Sequence, residues 1–307
     1  MKVGSFLPGA TDMIYQMGLE KHLDGVTFEC SSDKPKLVRS RLEGNTCSSP
    51  QIDQIVSESA MAGKSLHYVD MELLEEIGPD LVFTQGICDV CQISTSVVEK
   101  AIGSLEKQPK VIPLDPKRLS DIYQNALTIA TELGEEKTGL DYLASLEKRV
   151  AAITDTIRKH QAATKRVMIM EGLDPIYNSG HWIPDQVALA GGVDMLASPA
   201  GDSAVIPWEK VRQYDPEVLV IASCGFDADR SMEEMELLTN RPGWSELTAV
   251  KNNAVYIVDS FYFTKPSTTV VDGIELLAAL FHPELFDIPE ASKGKITHFT
   301  DKLVNVL

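Results

Sequence analysis

The chain has 307 residues, 44% hydrophobic and 24% charged, with a formal net charge of −17. That length holds one large or two medium domains whose cores need no covalent staples. The charge excludes nucleic acid as a partner, since phosphates are met by Lys and Arg. It also disfavours an anionic membrane surface. No apolar run approaches the roughly 18 residues that insertion across a bilayer requires.

Val3 to Leu7 reads as a short buried strand, followed by a turn at Pro8-Gly9-Ala10-Thr11-Asp12 in which Thr11 or Asp12 can cap a helix. Met13, Ile14, Met17 and Leu19 supply the helical spacing, and Gly18 ends it. Asp24 to Phe28 is a turn and second strand that delivers Glu29-Cys30 to a loop. Residues 31–50 are polar and Ser-rich, carry Arg39 and Arg41, and include Cys47. A helix beginning at Ile52, a short strand over Leu66 to Val69 and a helix over Met71 to Ile77 lead to the strand Asp80 to Thr84. The loop Gln85-Gly86-Ile87-Cys88-Asp89-Val90-Cys91 then joins that strand to a helical pattern starting near Ile93. In an open α/β sheet such strand-to-helix loops line the ligand crevice.

Val111 to Leu114 is a further strand. From Leu119 to Gln161 the apolar period is helical almost throughout, and the stretch is read as a strut joining two domains. The alternative is two ordinary helices with a break near Gly134. The α/β alternation then restarts. Strands are expected over Arg166 to Met170, Val218 to Ala222 and Ala254 to Val258, ending at Glu171, Ser223-Cys224 and Asp259. Gly172 to Trp182 is a loop, and helices follow over Pro184 to Ala190 and Thr268 to Phe281. The segment Leu74 to Phe83 resembles Val211 to Val220, with Pro79 and Pro216 137 positions apart. Each copy is a helix end, a Pro-acidic turn and a buried strand, which suggests a duplicated architecture.

Taken together, several stretches resemble a known family. Val3 to Thr11, Gly25-Val26-Thr27, Pro79-Asp80-Leu81-Val82, the long helical stretch and Gly191-Gly192-Val193 are similar to class III substrate-binding proteins of ABC transporters. That family includes vitamin B12-binding and iron-siderophore-binding proteins. Glu29-Cys30, Cys88-Asp89-Val90-Cys91 and Asp174-Pro175 with Gly180-His181-Trp182-Ile183-Pro184 resemble a leaderless subgroup labelled cobalamin-binding. The resemblance implies an α/β fold of two Rossmann-like lobes, 1–117 and 163–307. One long helix over 118–162 would bridge them, with a ligand cleft between the lobes. It also implies an ABC permease as partner. The chain departs from the transporter members in the lack of a signal peptide before Val3 and in its cysteine cluster. The first departure sets the expectation of a cytoplasmic protein, or a periplasmic one whose leader has been removed.

Five cysteines leave one unpaired under any scheme, so they are free thiols or ligands rather than a disulfide framework. Cys30, Cys47, Cys88 and Cys91 form a candidate metal set, because four thiolates suit tetrahedral zinc or an iron–sulfur cluster. The competing readings are unligated thiols and a redox pair at Cys88 and Cys91. Trp182 could stack on a flat ligand, and His181 could serve as an axial metal ligand through neutral imidazole. No phosphate-cradling loop, Gly-x-Ser-x-Gly elbow or His-Glu-x-x-His motif is present. The leading expectation is therefore a binding protein, not an enzyme, for a cobalamin-like or other metal-containing small ligand. Glu29, Cys30, Cys88 and Cys91 would meet it from the first half, and Glu171, His181, Trp182 and Cys224 from the second. The alternatives are a cytoplasmic metalloprotein with cysteine-held zinc or iron–sulfur cluster, and a thiol-dependent enzyme.

Overall fold

The fold is that of a computed structural model, which describes residues 1–43, 49–62, 65–85, 95–300 and 303–306. The chain divides into two compact units. The first comprises Met1–Pro116 and Asp121–Leu143, and the second Lys117–Ser120 and Ala144–Leu307.

In the first unit the strands are β1 (Val3–Ser5), β2 (Leu23–Thr27), β3 (Lys36–Ser40), β4 (His67–Val69), β5 (Leu81–Thr84) and β6 (Lys110–Pro113). They form one sheet in the order β4-β3-β2-β1-β5-β6, parallel except for β3 against β4. Helices α1 (Pro8–Gln16), α2 (Ser49–Met61), α3 (Met71–Ile77) and α4 (Thr95–Gly103) alternate with the strands. Central strands of such a sheet are buried on both faces and read as unbroken apolar runs. That is how Leu81, Val82 and Phe83 earn their place. Phe6, Leu37, Val38, Leu74, Val82 and Val98 are among the side chains of one core cluster.

Two details differ from the sequence reading. Helix α1 begins at Pro8, not after Thr11, because Pro is preorganised for the first helical turn and Leu7 takes the cap position. The polar segment containing Arg39 is a strand, β3. Leu37 and Val38 bury one part of it, and Arg39 pairs with Glu43 at 3.1 Å.

The helical stretch of 118–162 is two helices, α5 (Leu119–Glu132) and α6 (Glu136–His160). Gly134, at φ +74°, makes the break. Gly139 does not interrupt α6. A Cβ there would stand 2.6 Å from that of Ala130, so it permits close approach of the two helices. Helix α6 has 25 residues and runs about 37 Å. Its residues belong to the first unit through Leu143 and to the second from Ala144.

The second unit contains β7 (Lys165–Met170), two short hairpin strands β8 (Gly172–Leu173) and β9 (Ile176–Tyr177), β10 (Gly180–His181), α7 (Ile183–Leu189), β11 (Gly192–Val193), β12 (Ser198–Pro199), α8 (Trp208–Tyr214) and β13 (Val218–Ile221). After these come short helices α9 (Ala228–Met232), α10 (Glu236–Thr239) and α11 (Thr248–Lys251), then β14 (Val255–Val258), α12 (Phe261–Thr264), α13 (Val270–Phe281), β15 (Ile296–Thr300) and β16 (Leu303–Val306). Its main sheet runs β11-β7-β13-β14-β15-β16, the last two strands antiparallel. Strand β7 is central and Val167 to Met170 are fully buried.

The suspected repeat is present element for element. Helices α3 and α8 span seven residues each, and β5 and β13 four each, all at the same 137-residue offset. Each helix ends on a left-handed residue, Gly78 at φ 57° and Asp215 at φ 49°. Each acidic turn residue also clamps the neighbouring strand. Asp80 Oδ2 accepts from Lys2 N at 2.8 Å, and Glu217 Oε2 from Arg166 N at 2.9 Å. In both, the acidic residue's own N–H donates back to the same partner's carbonyl, at 2.8 and 2.7 Å.

Candidate functional site

At the carboxyl end of β7 the chain turns sharply through Glu171. Glu171 Oε1 accepts from Gly180 N and from Ser203 Oγ, both at 3.0 Å. Its other oxygen has no hydrogen-bond partner among the described residues. Desolvation by burial pushes this carboxyl up to about 7. The neighbouring strand β13 reaches the same edge, where Cys224 N donates to the Glu171 carbonyl at 2.9 Å. Cys224 is an exposed free thiol. Beside it, the hydroxyl of Ser223 is buried without a partner among the described residues. Asp259, after β14, accepts from Ala228 N at 2.7 Å, and burial raises its carboxyl.

The loop that carries His181 is fixed from several sides. Asn178 donates to Leu196 O at 2.5 Å and to Ser198 Oγ at 3.1 Å, and accepts from Ala204 N at 2.6 Å. Strands β10 and β12 pair in parallel. Gly180 is obligatory at this crossing, since a Cβ would fall 2.6 Å from Ser203 N and 2.7 Å from Gly201 O. Asp194 ties the adjoining 194–198 turn to β7 by accepting from Ile169 N at 3.1 Å, and burial pushes its carboxyl up to about 6.

His181 itself adopts φ 52°, a region that few non-glycine residues occupy. Its Nε2 lies 3.2 Å from Asp202 Oδ1, and Lys117 Nζ lies 3.5 Å from the same oxygen. Burial and the Lys117 charge lower the imidazole's pKa, so the ring is neutral near pH 7. Lys117 is held in turn by its neighbours. Arg118 pairs with Asp185 at 2.7 Å, and Leu119 N donates to that carboxylate at 3.0 Å.

Trp182 is placed differently from a ligand platform. It is 5% exposed, and its Nε1–H donates to Phe263 O at 2.6 Å. Its ring touches His181 at a centroid distance of 5.5 Å. A tryptophan after Gly-His looks the same in sequence whether it faces a ligand or the core, and here it closes the core over α7.

In the first unit, Cys30 follows β2 and is buried. Desolvation raises its thiol, with Asp12 and Glu29 adding to that shift, so it is a neutral thiol. Glu29 beside it is exposed. Cys47, Cys88 and Cys91, and with them the Gly86-to-Cys91 loop, lie outside the described residues. Among the described residues no group of three or more His, Cys, Asp or Glu is arranged to hold a metal ion. Thus Glu171 and Cys224 lie on adjoining strand ends joined by a backbone hydrogen bond, and the Glu171 carboxyl anchors the loop at Gly180, next to His181. Sequence reasoning missed the residues that fix them: Lys117, Asn178, Asp202 and Ser203. Nothing in the spacing of Asp202 and Ser203 signals partners 21 and 32 positions back, at His181 and Glu171.

No helix among the described residues is long and apolar enough to cross a membrane. The family described as "Periplasmic binding protein" matches residues 50–262. An uncharacterized ABC transporter substrate-binding lipoprotein of Bacillus subtilis, YvrC, is 24% identical over 293 residues, covering 93% of this chain and 81% of its own. Among solved structures, the periplasmic heme-binding protein RhuT of Roseiflexus sp. RS-1 superposes with a TM-score of 0.67 at 18% identity, covering 92% of this chain and 98% of its own. The periplasmic vitamin B12 binding protein BtuF of Vibrio cholerae gives 0.62 at 16% identity, covering 92% and 96%. These likenesses establish the shared α/β fold, and the relatives are substrate-binding proteins rather than enzymes. The match over more than half the length settles the affiliation: this chain belongs to the periplasmic binding protein family.

Proposed function

We propose that the chain is a receptor for a cobalamin-like or other metal-containing small ligand, delivered to an ABC permease. The observation that carries this reading is the set of polar groups at and next to the ends of β7 and β13. Glu171 has a carboxyl oxygen without a partner among the described residues, His181 in the following loop a neutral imidazole, and Cys224 an exposed thiol, on a backbone held by partly buried hydrogen bonds. Preorganised polar groups at the carboxyl ends of parallel strands are the usual way an α/β sheet meets a ligand. The names of the relatives add support: one is called a vitamin B12 binding protein, another a heme-binding protein, and the Bacillus one a substrate-binding lipoprotein. They also favour the periplasmic expectation over the cytoplasmic one.

The test is titration with cyanocobalamin and with haemin, followed by quenching of the three tryptophans. Saturable one-to-one binding is expected for at least one probe. Glu171→Ala should weaken it by roughly tenfold, the equivalent of one hydrogen bond to a charged or polar partner. Absence of saturable binding by either probe sinks the reading.

A further inference from the structure

The two ring nitrogens of His181 are in different surroundings. Nε2 is buried and lies 3.2 Å from the Asp202 carboxylate, displaced from hydrogen-bond alignment. Nδ1 has no partner among the described residues and is absent from the buried unsatisfied atoms, so the ring's exposed side includes it. The side chain as a whole is 18% exposed. A lone pair on Nε2 would face a carboxylate oxygen 3.2 Å away. An N–H there faces the same carboxylate favourably, and the group that one ring nitrogen faces decides which nitrogen carries the proton. Lys117 Nζ stands 3.5 Å from that same Asp202 oxygen.

We infer that Asp202 is a positioning residue that fixes His181 as the Nε2–H tautomer, so that His181 meets the ligand through Nδ1 as a hydrogen-bond acceptor. This deepens the receptor reading and rests on it for the identity of the partner group. Nδ1 stands next to the ring carbon that carries Cβ, so a metal bound there would lie closer to the residue's own main chain than one bound at Nε2. A wide macrocycle bound axially is crowded out, whereas a slender N–H or O–H donor is not. The ligand class is therefore one that presents such a donor at its rim, as the amide side chains of a corrin do. A group of ionised carboxylates, as on haemin, offers none.

The deciding experiment reads the imidazole nitrogens of the ligand-free protein by long-range ¹H–¹⁵N correlation at neutral pH, with His181→Gln to assign the signals. An excess of the Nε2–H tautomer is expected, from the attraction of that N–H to the nearby carboxylate. Asp202→Ala should erode that excess several-fold, and Asp202→Glu should restore it. An Nδ1–H tautomer, or a ratio untouched by Asp202→Ala, overturns the inference. A second measurement separates this from the receptor reading. Cyanocobalamin affinity should fall several-fold in Asp202→Ala and recover in Asp202→Glu, while haemin affinity should not depend on Asp202. An unchanged cyanocobalamin affinity, or a haemin affinity that falls equally, refutes the donor class. If neither probe binds, the receptor reading fails and the tautomer result still stands or falls by itself.

Discussion

Replacing Glu171 by Gln turns its burial into a measurable slope. The amide keeps a carbonyl oxygen for Gly180 N and Ser203 Oγ, so the loop keeps its anchor. What disappears is the ionisation. In the folded protein this carboxyl titrates at about 7, against an ordinary 4.5. The folded state therefore binds the proton more tightly than the unfolded chain does. Its contribution to stability is fully present below 4.5 and is lost as pH rises through 7. The gap corresponds to roughly 3 kcal/mol between the two limits. Urea unfolding of parent and Glu171→Gln across that range is the assay. The variant should gain on the parent as pH rises, by about 3 kcal/mol at the top of the window. Asp194, raised to about 6 by burial, gives the same sign but is common to both proteins and cancels in the difference. Parallel stability curves for the two proteins would show that the Glu171 carboxyl is hydrated, and the reasoning about its desolvation would be wrong.

Gly191→Ala should destabilise the second unit by about 2–4 kcal/mol in thermal or urea unfolding. Its backbone is at φ 84°, and a Cβ would meet His282 Nε2 at 2.5 Å. Trp182→Phe should cost about 2 kcal/mol, because it leaves the Phe263 carbonyl without its donor in a buried site and removes ring volume. Alkylation followed by peptide mapping should label Cys224 in the native protein and Cys30 only after unfolding. The first thiol is exposed, while the second is buried with its pKa raised by desolvation. Native labelling of Cys30 at the rate of Cys224 would contradict that placement.

The alternation of apolar runs with turn signals was enough to read the α/β class and most parallel strands. Buried central strands such as Val218 to Ile221 carry their pattern locally. The Pro-acidic repeat was legible for the same reason: its helix end, turn and strand are contiguous. Strand β3 was not, because Lys36, Arg39 and Ser40 mask a core contribution made by Leu37 and Val38 alone. Strands β15 and β16 pair antiparallel at the sheet's far end, where alternation is weak and the partner strand decides the outcome. In the candidate site, Glu171 and Cys224 were found because strand ends can be counted. Asp202 and Lys117 were not, since their relation to His181 exists only once Asn178 and Asp185 have folded two separate loops onto α7 and β12. The direction of the Trp182 indole depends on a carbonyl 81 residues later, which no local pattern encodes.

The paired acidic clamps bear on how this architecture accommodates change. Asp80 and Glu217 fasten the beginnings of neighbouring strands, using main-chain partners that every residue type but proline supplies. In the second unit, alignment of the sheet is thus set at the rim opposite Glu171 and Cys224. Loops on the functional rim can be lengthened, shortened or exchanged without disturbing the hold on strand alignment. For an engineer, the second unit is a scaffold in which recognition can be rewritten beyond residue 171 or 222 while the 217 clamp is left alone.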